Sequence, residues 1–175
     1  TVMGPSGVGK STLLAFVTGT LPSNFGATGS VLLNDQDITK LSPHQRRVGI
    51  LFQDDLLFPH LSVGANLAFG LTPGGRKSVR QEKINDALRE VGMDGFAGRD
   101  PATLSGGQKA RVALMRALLA APKMLLLDEA FSSLDPDLRQ SFGKFVASQV
   151  AARQIPALLV SHDAGDKSLT SGAII

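Results

Sequence analysis

The clearest chemical pattern in the chain lies near its start, from position 4 to position 12. The spacing matches the phosphate-binding pattern GxxxxGK followed by Ser or Thr, with an apolar stub before it and a helical pattern after it. Glycines in such a loop let backbone N–H groups turn towards phosphate oxygens, and the following helix presents its positive end to the same anion. The residues expected to bind phosphate are Gly4, Pro5, Ser6, Gly7, Val8, Gly9, Lys10, Ser11 and Thr12.

Side chains with individual tasks belong to this loop and to an acidic pair further along. Lys10 is expected to reach the β- and γ-phosphates of a nucleotide, and the Ser11 hydroxyl to bind Mg²⁺. Asp128 and Glu129 follow the apolar run 124–127, and ligands bind at the carboxyl ends of strands in α/β sheets. Asp128 is therefore expected to hold Mg²⁺, and Glu129 to orient or deprotonate the attacking water. Without the phosphate-binding loop, an interpretation of both residues as solvated acids at a strand end would be equally reasonable.

A second glycine motif, LSGGQ, occupies positions 104–108 and opens another helical pattern. Ser105 and Gln108 fit a helix capping box, which is the purely structural interpretation. Two glycines in a first helical turn are harder to explain by capping, because each costs about 1 kcal/mol of helix propensity. An exposed helix N-terminus with Ser and Gly is a second anion site, and a nucleotide held by residues 4–12 needs no second such site within one subunit.

With these motifs the chain resembles the ABC-type ATPases, whose signature motif is LSGGQ. Gln53 follows an apolar run and is similar to the glutamine of the family's Q-loop. Asp135 ends the run SSLD, which is similar to the D-loop, and His162 stands in SHD at the place of the switch histidine. The motifs occur in the family's order and span positions 4–163, nearly the whole chain.

The resemblance implies that two such cassettes pair head to tail, with ATP between the phosphate loop of one and LSGGQ of the other. It implies that Gln53 helps to bind Mg²⁺ and senses the γ-phosphate, and that Glu129 is the catalytic carboxylate. His162 would contact the γ-phosphate and hold the water and Glu129 in register, and Asp135 would bridge the two subunits. The signature residues expected to face the partner's ATP are Ser105, Gly106, Gly107 and Gln108.

Several of these residues also have a structural interpretation. Asp135 precedes a proline and is an ideal helix N-cap, and we expect it to be both cap and D-loop residue. Gln53 alone would be a loop amide, and His162 alone could be a core histidine at a strand end. His44 and His60 have no motif around them and are interpreted as structural.

Alternating apolar runs and helical periodicity supply the elements that must position these motifs. They predict an α/β fold with a mostly parallel sheet, and the resemblance makes it a P-loop NTPase with a RecA-like core. Residues 1–53 and 104–175 are expected to form this core in a single domain, 1–175, with 54–103 as an inserted helical subdomain. The family's N-terminal antiparallel β portion is expected to be truncated, because the chain opens on the strand stub 1–3.

The same patterns predict individual elements. A Gly/Pro-rich break at 72–75 divides the inserted segment, and Pro122 ends the helix that LSGGQ opens. Strands are predicted at 1–3, 29–34, 47–52, 124–127 and 157–160, and helices at 10–18, 78–91, 106–120 and 136–153.

Composition narrows the functional classes. A chain of 175 residues can form one domain with a sizeable core. The net charge of +3, with Lys and Arg spread along the chain, is too mild to indicate nucleic-acid binding. The chain has no cysteine, which excludes disulfides and thiolate metal sites, and no apolar run approaches the roughly 20 residues that span a bilayer.

The segment 53–67 looks like the Q-loop region of bacterial importer cassettes for small solutes, where a groove receives a helix of the membrane subunit. Leu56, Leu57, Phe58 and Leu61 suit either this docking surface or the core of the helical subdomain. The resemblance therefore implies an ATPase on the cytoplasmic, inner face of the cell membrane. It would work with separate permease subunits and a solute-binding protein.

Two alternatives stay open at this point. One is a soluble mechanochemical ABC ATPase without a permease, although such proteins commonly carry two cassettes or extra domains. The other is a P-loop kinase for a small molecule, against which LSGGQ and the switch histidine both argue.

The chain also departs from the family's pattern. It has no Tyr, no Trp and no segment upstream of the loop that could supply an aromatic residue to stack on adenine, so either that region is absent or adenine is held otherwise. A fragment that lacks the region should bind nucleotide weakly. Ala130 stands where the family usually has Pro, which is expected to loosen the loop but to leave the carboxylate in place. The family's terminal helices and any regulatory domain are not expected in the chain.

Overall fold

The computed structural model describes residues 1–169 and 172–175, apart from the side chain of Ala164. Three 3₁₀ helices lie at Phe96–Gly98, Pro101–Thr103 and Ala164–Leu169. In chain order the strands and α-helices are β1 (Val2–Met3), α1 (Lys10–Thr18), β2 (Leu32–Leu33), β3 (Gln36–Asp37), α2 (Pro43–Arg46), β4 (Val48–Phe52), α3 (Val63–Gly70), α4 (Lys77–Glu90), α5 (Gly106–Leu119), β5 (Met124–Asp128), α6 (Pro136–Arg153) and β6 (Ala157–Ser161).

Four parallel strands form the central sheet, in the spatial order β1-β6-β5-β4. Phe52 at the end of β4 is in register with Asp128 at the end of β5, and Met3 at the end of β1 is in register with Ser161 at the end of β6. A parallel sheet brings the carboxyl ends of all its strands to one edge. The segments that follow the four strands therefore begin side by side.

Helices cover both faces of this sheet, and the alternation of side chains along β5 shows how. Leu126 belongs to a cluster with Leu14 and Val17 of α1. Leu125 and Leu127 point to the opposite face and belong to the larger core, which also contains buried residues of α5 and α6. Because α1 lies against the sheet, the loop before it is held at the edge where the strands end.

The segment between β4 and α5 is mostly helical, as predicted. Val63 and Leu67 of α3 pack with buried residues of α4 and α5 in the larger core. Asn66 is completely buried, and its side-chain amide donates to the carbonyl oxygens of Phe58 and Leu61 at 3.1 Å each. This residue therefore fixes the loop that leads from β4 into α3.

The predicted α/β fold with a parallel sheet is confirmed, and α1 and α6 have the bounds that were predicted. The predicted strand at 29–34 is shorter, because only β2 forms, and it pairs antiparallel with β3 outside the central sheet. Asn34 and Asp35, between them, both have positive φ, of 50° and 61°, as in the tight turns that favour Asn and Asp. The short helix α2 was not predicted, although Ser42 and Gln45 form its capping box.

Among the residues that the structure describes, no helix is both long enough and apolar enough to cross a membrane.

Candidate active site

The loop from Gly4 to Thr12 leads from β1 into α1 at the edge where the parallel strands end. Gly7 and Gly9 have φ of 85° and 103°, the left-handed region that favours glycine. An added Cβ at either position would meet nothing within 4 Å, so backbone conformation and not space requires glycine there. Gly9 also offers no side-chain acceptor to the first turn of α1, whose N–H groups can therefore bind an anion.

Lys10 is buried beneath the loop, with 7% of its surface exposed. Its Nζ donates to the carbonyl oxygens of Gly4 at 2.8 Å and Pro5 at 2.9 Å, and lies 3.5 Å from Glu129 Oε1. An ammonium group has three donors, of which the two carbonyl oxygens accept two, while the Glu129 carboxylate lies at ion-pair distance. The structure therefore places the predicted phosphate-binding amine directly against the predicted catalytic carboxylate.

Ser11 and Asp128, the predicted Mg²⁺ ligands from different ends of the chain, also meet here. Ser11 Oγ donates to Asp128 Oδ1 at 3.3 Å. Burial raises the pKa of the Asp128 carboxyl, and Glu129 raises it further, while the Ser11 hydrogen bond and Lys10 act in the opposite direction. Among the described residues, no cluster of three or more His, Cys, Asp or Glu side chains could hold a metal ion.

Glu129 follows β5 in a left-handed backbone conformation, with φ of 50°. Its N–H donates to Val160 O at 2.9 Å, which ties it to β6. His162, just after β6, has its Nδ1 3.2 Å from Glu129 Oε2. One carboxylate thus lies between a lysine on one oxygen and a histidine on the other.

Gln53 follows β4 and is exposed at the same edge. Its carbonyl oxygen accepts a hydrogen bond from Ser133 Oγ at 3.3 Å. Together with the phosphate loop and the acidic pair it lines a cleft of about 520 Å³. The lining residues are Ser6, Gly7, Gly9, Lys10, Ser11, Thr12, Phe52, Gln53, Asp54, Leu56, Asp128 and Glu129.

The LSGGQ motif lies outside this cleft, since none of the residues 104–108 lines it. The capping box is present, with Ser105 N donating to Gln108 Oε1 at 3.0 Å and Gln108 N donating to Ser105 Oγ at 3.4 Å. A Cβ added at Gly107 would lie 2.9 Å from the end of the Leu138 side chain of α6, so a larger residue there would force that leucine to shift. At Gly106 an added Cβ would meet nothing within 4 Å, so contacts within the subunit do not explain that glycine.

Asp135 is exposed and caps α6, where its Oδ1 accepts a hydrogen bond from Leu138 N at 2.9 Å. The predicted capping role is therefore confirmed. Asp135 does not line the cleft either, which leaves its carboxylate on the surface beside the LSGGQ helix.

The loop 54–58 borders a second cleft of about 480 Å³, between β4, α3 and α5. Leu56 is 56% exposed, while Leu57 packs against the larger core, so the two predicted roles of this segment fall on neighbouring residues. Sequence analysis missed Phe69, which is 68% exposed and has its ring 4.7 Å from the ring of Phe58. Because Phe69 lies off the apolar stripe of α3 that points to the core, helical periodicity could have flagged it.

Arg116 of α5, also missed, closes the base of this second cleft. It donates to the carbonyl oxygens of Leu56 at 2.8 Å and Asp55 at 3.1 Å. Burial lowers the pKa of Arg116 and raises the pKa of Asp55. The guanidinium thus holds the loop after Gln53 against α5.

Comparisons with known proteins agree with this geometry. A family model described as ABC transporter matches residues 1–132. An uncharacterized ABC transporter ATP-binding protein, YnjD of Escherichia coli, is 51% identical over 174 residues, covering 99% of this chain and 80% of that protein. The thiamine import ATP-binding protein ThiQ of Aliivibrio fischeri is 42% identical over 172 residues, covering 97% of this chain and 72% of that protein.

A solved structure is also similar over most of the chain. It is CbiO1 from Clostridium perfringens, described as part of the ABC transporter complex CbiONQ, with a TM-score of 0.79 and 30% sequence identity. The match covers 93% of this chain and 66% of that chain, slightly less than two thirds of its length.

Proposed function

This chain belongs to the ABC transporter family as an ATP-binding subunit with ATPase activity coupled to transport, and we propose that it energises solute import through separate membrane subunits. The resemblance found from the motifs is thereby confirmed. The observation that carries the mechanism is the position of the Glu129 carboxylate between Lys10 and His162, at the edge where the parallel strands end.

The phosphates of ATP would lie on the N–H groups of the Gly4–Thr12 loop and on the first turn of α1. Phosphate oxygens would compete with the carbonyl oxygens of Gly4 and Pro5 for the Lys10 ammonium. They can replace these carbonyl oxygens as hydrogen-bond acceptors. The positive φ of Gly7 and Gly9 supports this role, because it turns consecutive backbone N–H groups to one side.

Glu129 would act as general base and His162 as the residue that orients it. The 3.2 Å separation of His162 Nδ1 and Glu129 Oε2 supports a hydrogen bond that fixes the carboxylate while the other oxygen faces Lys10. When a phosphate oxygen binds Lys10, Glu129 Oε1 is released from the lysine and becomes available to accept a proton from water. The histidine is half-exposed, and its other nitrogen would contact the γ-phosphate.

The donor set beside the loop fits Mg²⁺. Ser11 Oγ and Asp128 Oδ1 are hard oxygen ligands 3.3 Å apart, and the side-chain oxygen of Gln53 is available in the same cleft. When bound there, Mg²⁺ would neutralise negative charge on the phosphates. The lack of a self-sufficient acidic cluster among the described residues is consistent with a cation that shares its ligands with a nucleotide.

A second cassette would complete the site. Ser105, Gly106, Gly107 and Gln108 lie outside the cleft, at an exposed helix N-terminus that can bind the γ-phosphate held by a partner. The open space at Gly106 supports this, since no contact within the subunit requires glycine there. Asp135, exposed beside this helix, would reach the partner as the D-loop residue.

The permease would dock at the second cleft, which includes residues of the predicted segment 53–67 and extends beyond it to β4, Phe69 and α5. A short amphipathic helix of a membrane subunit fits a groove that exposes Phe52, Leu56 and Phe69. Arg116 and Phe58 line this groove and contact each other, with the guanidinium carbon of Arg116 5.4 Å from the centroid of the Phe58 ring. Docking there would contact the loop 54–58, and a movement of this loop would act on Gln53, the residue immediately before it.

Import, a solute-binding protein and a position on the cytoplasmic face of the membrane belong to the same proposal. The relative named for thiamine import, at 42% identity, supports the inward direction. The solute itself would be selected by the permease and the binding protein.

Two experiments test this proposal. Purified protein should release free phosphate from MgATP, and Lys10→Ala should weaken ATP binding by roughly 10–100-fold, because charge-assisted hydrogen bonds to phosphate are lost. Lys83→Ala, on the exposed face of α4, is the matched control and should bind ATP normally. Phosphorylated small molecules in place of free phosphate would instead indicate a kinase.

The transport half requires a membrane partner. The protein should co-purify with a membrane subunit from detergent extracts, and Phe69→Asp should abolish this association while ATP binding is kept. Arg89→Asp, on α4, serves as an exposed charge control. Association that survives Phe69→Asp would contradict docking at the second cleft.

A further inference from the structure

Arg139, in the first turn of α6, is bonded to two loops that both reach the candidate active site. Its Nε donates to Phe131 O at 3.1 Å, and its Nη2 donates to Ser132 O at 3.3 Å. Both carbonyl groups belong to the turn that follows the catalytic carboxylate. Its Nη1 forms an ion pair with Asp163 Oδ2, the residue after the switch histidine. One guanidinium group therefore joins the two loops.

The loop that carries His162 depends on such bonds. The imidazole of His162 is 46% exposed, so side-chain packing alone does not fix its position. Its position therefore depends on the backbone of the loop that carries it. Ser161 Oγ accepts a hydrogen bond from Asp163 N at 3.0 Å and donates one to Asp166 Oδ2 at 2.6 Å. Asp163 Oδ1 accepts from Gly165 N at 2.8 Å, which leaves Oδ2 for the guanidinium.

The turn on the other side is equally tied to the site. Ser132 N and Ser132 Oγ donate to Glu129 O at 3.0 Å and 2.8 Å. The turn ends at Asp135, which caps α6. Arg139 thus holds the turn between the catalytic carboxylate and the residue expected to face a second cassette.

We propose that Arg139 is a positioning residue for ATP hydrolysis, which keeps His162 in register with Glu129 and links both to the turn that ends at Asp135. This inference rests on the roles proposed above for Glu129 and His162. The acceptors lie on two separate loops, and a planar guanidinium can bind all of them at once, whereas a single ammonium cannot reproduce this fork.

The first test separates ATP binding from turnover. Arg139→Gln should lower kcat by about tenfold to 10²-fold, because displacements of about 1 Å at a catalytic group have effects of this size. The dissociation constant for ATP should change by less than about threefold, because Arg139 does not line the nucleotide cleft. Arg139→Lys should also lower kcat, since it keeps the charge but loses the fork.

The same helix offers a matched control. Arg153 at the end of α6 has its Nη2 3.3 Å from Glu90 Oε2, with side-chain exposures of 30% and 39% for the pair. The Arg139–Asp163 pair has comparable exposures of 22% and 41%. Arg153→Gln should therefore match any general cost of losing a helix ion pair, and it should leave kcat unchanged.

A double-mutant cycle gives the second test. Asp163→Asn should lower kcat as Arg139→Gln does, and the double variant should be little worse than either single variant, because the same link is broken. All variants are assayed below their thermal unfolding midpoints. The inference is overturned if Arg139→Gln retains kcat as Arg153→Gln does, if kcat and ATP binding fall together, or if the two effects simply add.

Failure of this inference can be told apart from failure of the proposed function. If Glu129→Gln and His162→Ala lose hydrolysis while Arg139→Gln keeps it, only the positioning role is wrong. If Glu129→Gln and His162→Ala keep hydrolysis as well, the catalytic assignment itself is wrong.

Discussion

Lys10 Nζ lies 3.5 Å from Glu129 Oε1, with side-chain exposures of 5% and 21%, so the amine proposed to bind phosphate and the carboxylate proposed to activate water form one largely buried ion pair. Phosphate oxygens that engage the amine must weaken its hold on the carboxylate. Nucleotide binding would therefore make the Glu129 carboxylate available to accept a proton, because both events involve the Lys10–Glu129 ion pair.

Glu129→Gln is expected to remove hydrolysis while ATP binding is kept. The amide cannot accept the proton from water, and losing a general base commonly lowers the rate by about 10²–10⁴-fold. The variant should accumulate as an ATP-bound dimer, measurable by size-exclusion chromatography with ATP present. Glu82→Gln, on the exposed face of α4, should keep both the hydrolysis rate and the monomer–dimer balance. Full activity in Glu129→Gln would remove this residue from the mechanism.

Gly106→Ala should separate folding from dimer function. A Cβ at this position meets nothing within 4 Å inside the subunit, and alanine has the higher helix propensity, so the thermal midpoint should stay the same or rise slightly. If this helix start closes on a partner's ATP, the added methyl group should lower hydrolysis by about tenfold or more.

Gly98→Ala is the control for Gly106→Ala, because a Cβ there also meets nothing within 4 Å and the position lies outside LSGGQ. Hydrolysis by this control should be unchanged. Normal hydrolysis by Gly106→Ala would count against the head-to-tail arrangement.

Arg46 should contribute strongly to stability. It is 5% exposed and donates to the carbonyl oxygens of Phe16 at 2.7 Å, Val17 at 2.8 Å and Leu41 at 2.9 Å. Arg46→Met would remove these buried hydrogen bonds, two of which are at the end of α1, and should lower the free energy of unfolding by about 2–4 kcal/mol.

Its neighbour Arg47 is exposed and donates to Ala121 O. Arg47→Met should therefore cost less than about 1 kcal/mol when the unfolding free energies of both variants are measured by urea titration. Equal losses for the two variants would show that the buried hydrogen bonds of Arg46 contribute little.

Asp163 and Asp128 should affect stability with opposite signs. The hydrogen bond from Gly165 N, and then the Arg139 hydrogen bond, lower the pKa of Asp163, so its stabilising effect is present above its ordinary pKa and is lost as pH falls through the lowered value. Asp163→Asn should therefore lower the thermal midpoint at pH 7, and the difference from wild type should shrink as the solution is acidified.

The pKa of Asp128 is raised, chiefly by burial, so its carboxyl favours folding below its ordinary pKa and loses that effect as pH rises through the raised value. Asp128→Asn should therefore raise the thermal midpoint at pH 7 when measured with EDTA. A decrease would mean that the Ser11 and Lys10 contacts outweigh burial.

Much of this molecule could be predicted from sequence because its motifs lie at the ends of regular elements. Gln53, Glu129 and His162 each follow a short apolar run, and a parallel sheet must bring such positions to one edge. Helix α6 begins where Asp135 and the proline after it predicted, since a cap and a proline act locally.

Contacts between distant elements could not be predicted in this way. Three such contacts depend on how the helices pack on the sheet. They are the Arg139–Asp163 ion pair, the hydrogen bond from Arg116 to Leu56 O, and the close approach of Gly107 to Leu138. A single sequence carries no signal for these pairs, because each partner is unremarkable in its own segment. The strand at 29–34 was overestimated for a related reason, since alternation does not reveal which strand is its partner.

The left-handed backbone of Glu129 sets stability against activity at one position. This conformation costs most residues other than glycine about 1–2 kcal/mol, so glycine there would relieve backbone strain. The same change would remove the carboxylate that pairs with Lys10 and is proposed to activate water. Glu129→Gly should therefore abolish hydrolysis, and its gain in backbone conformation should be offset by the largely buried Lys10 ammonium that loses its partner.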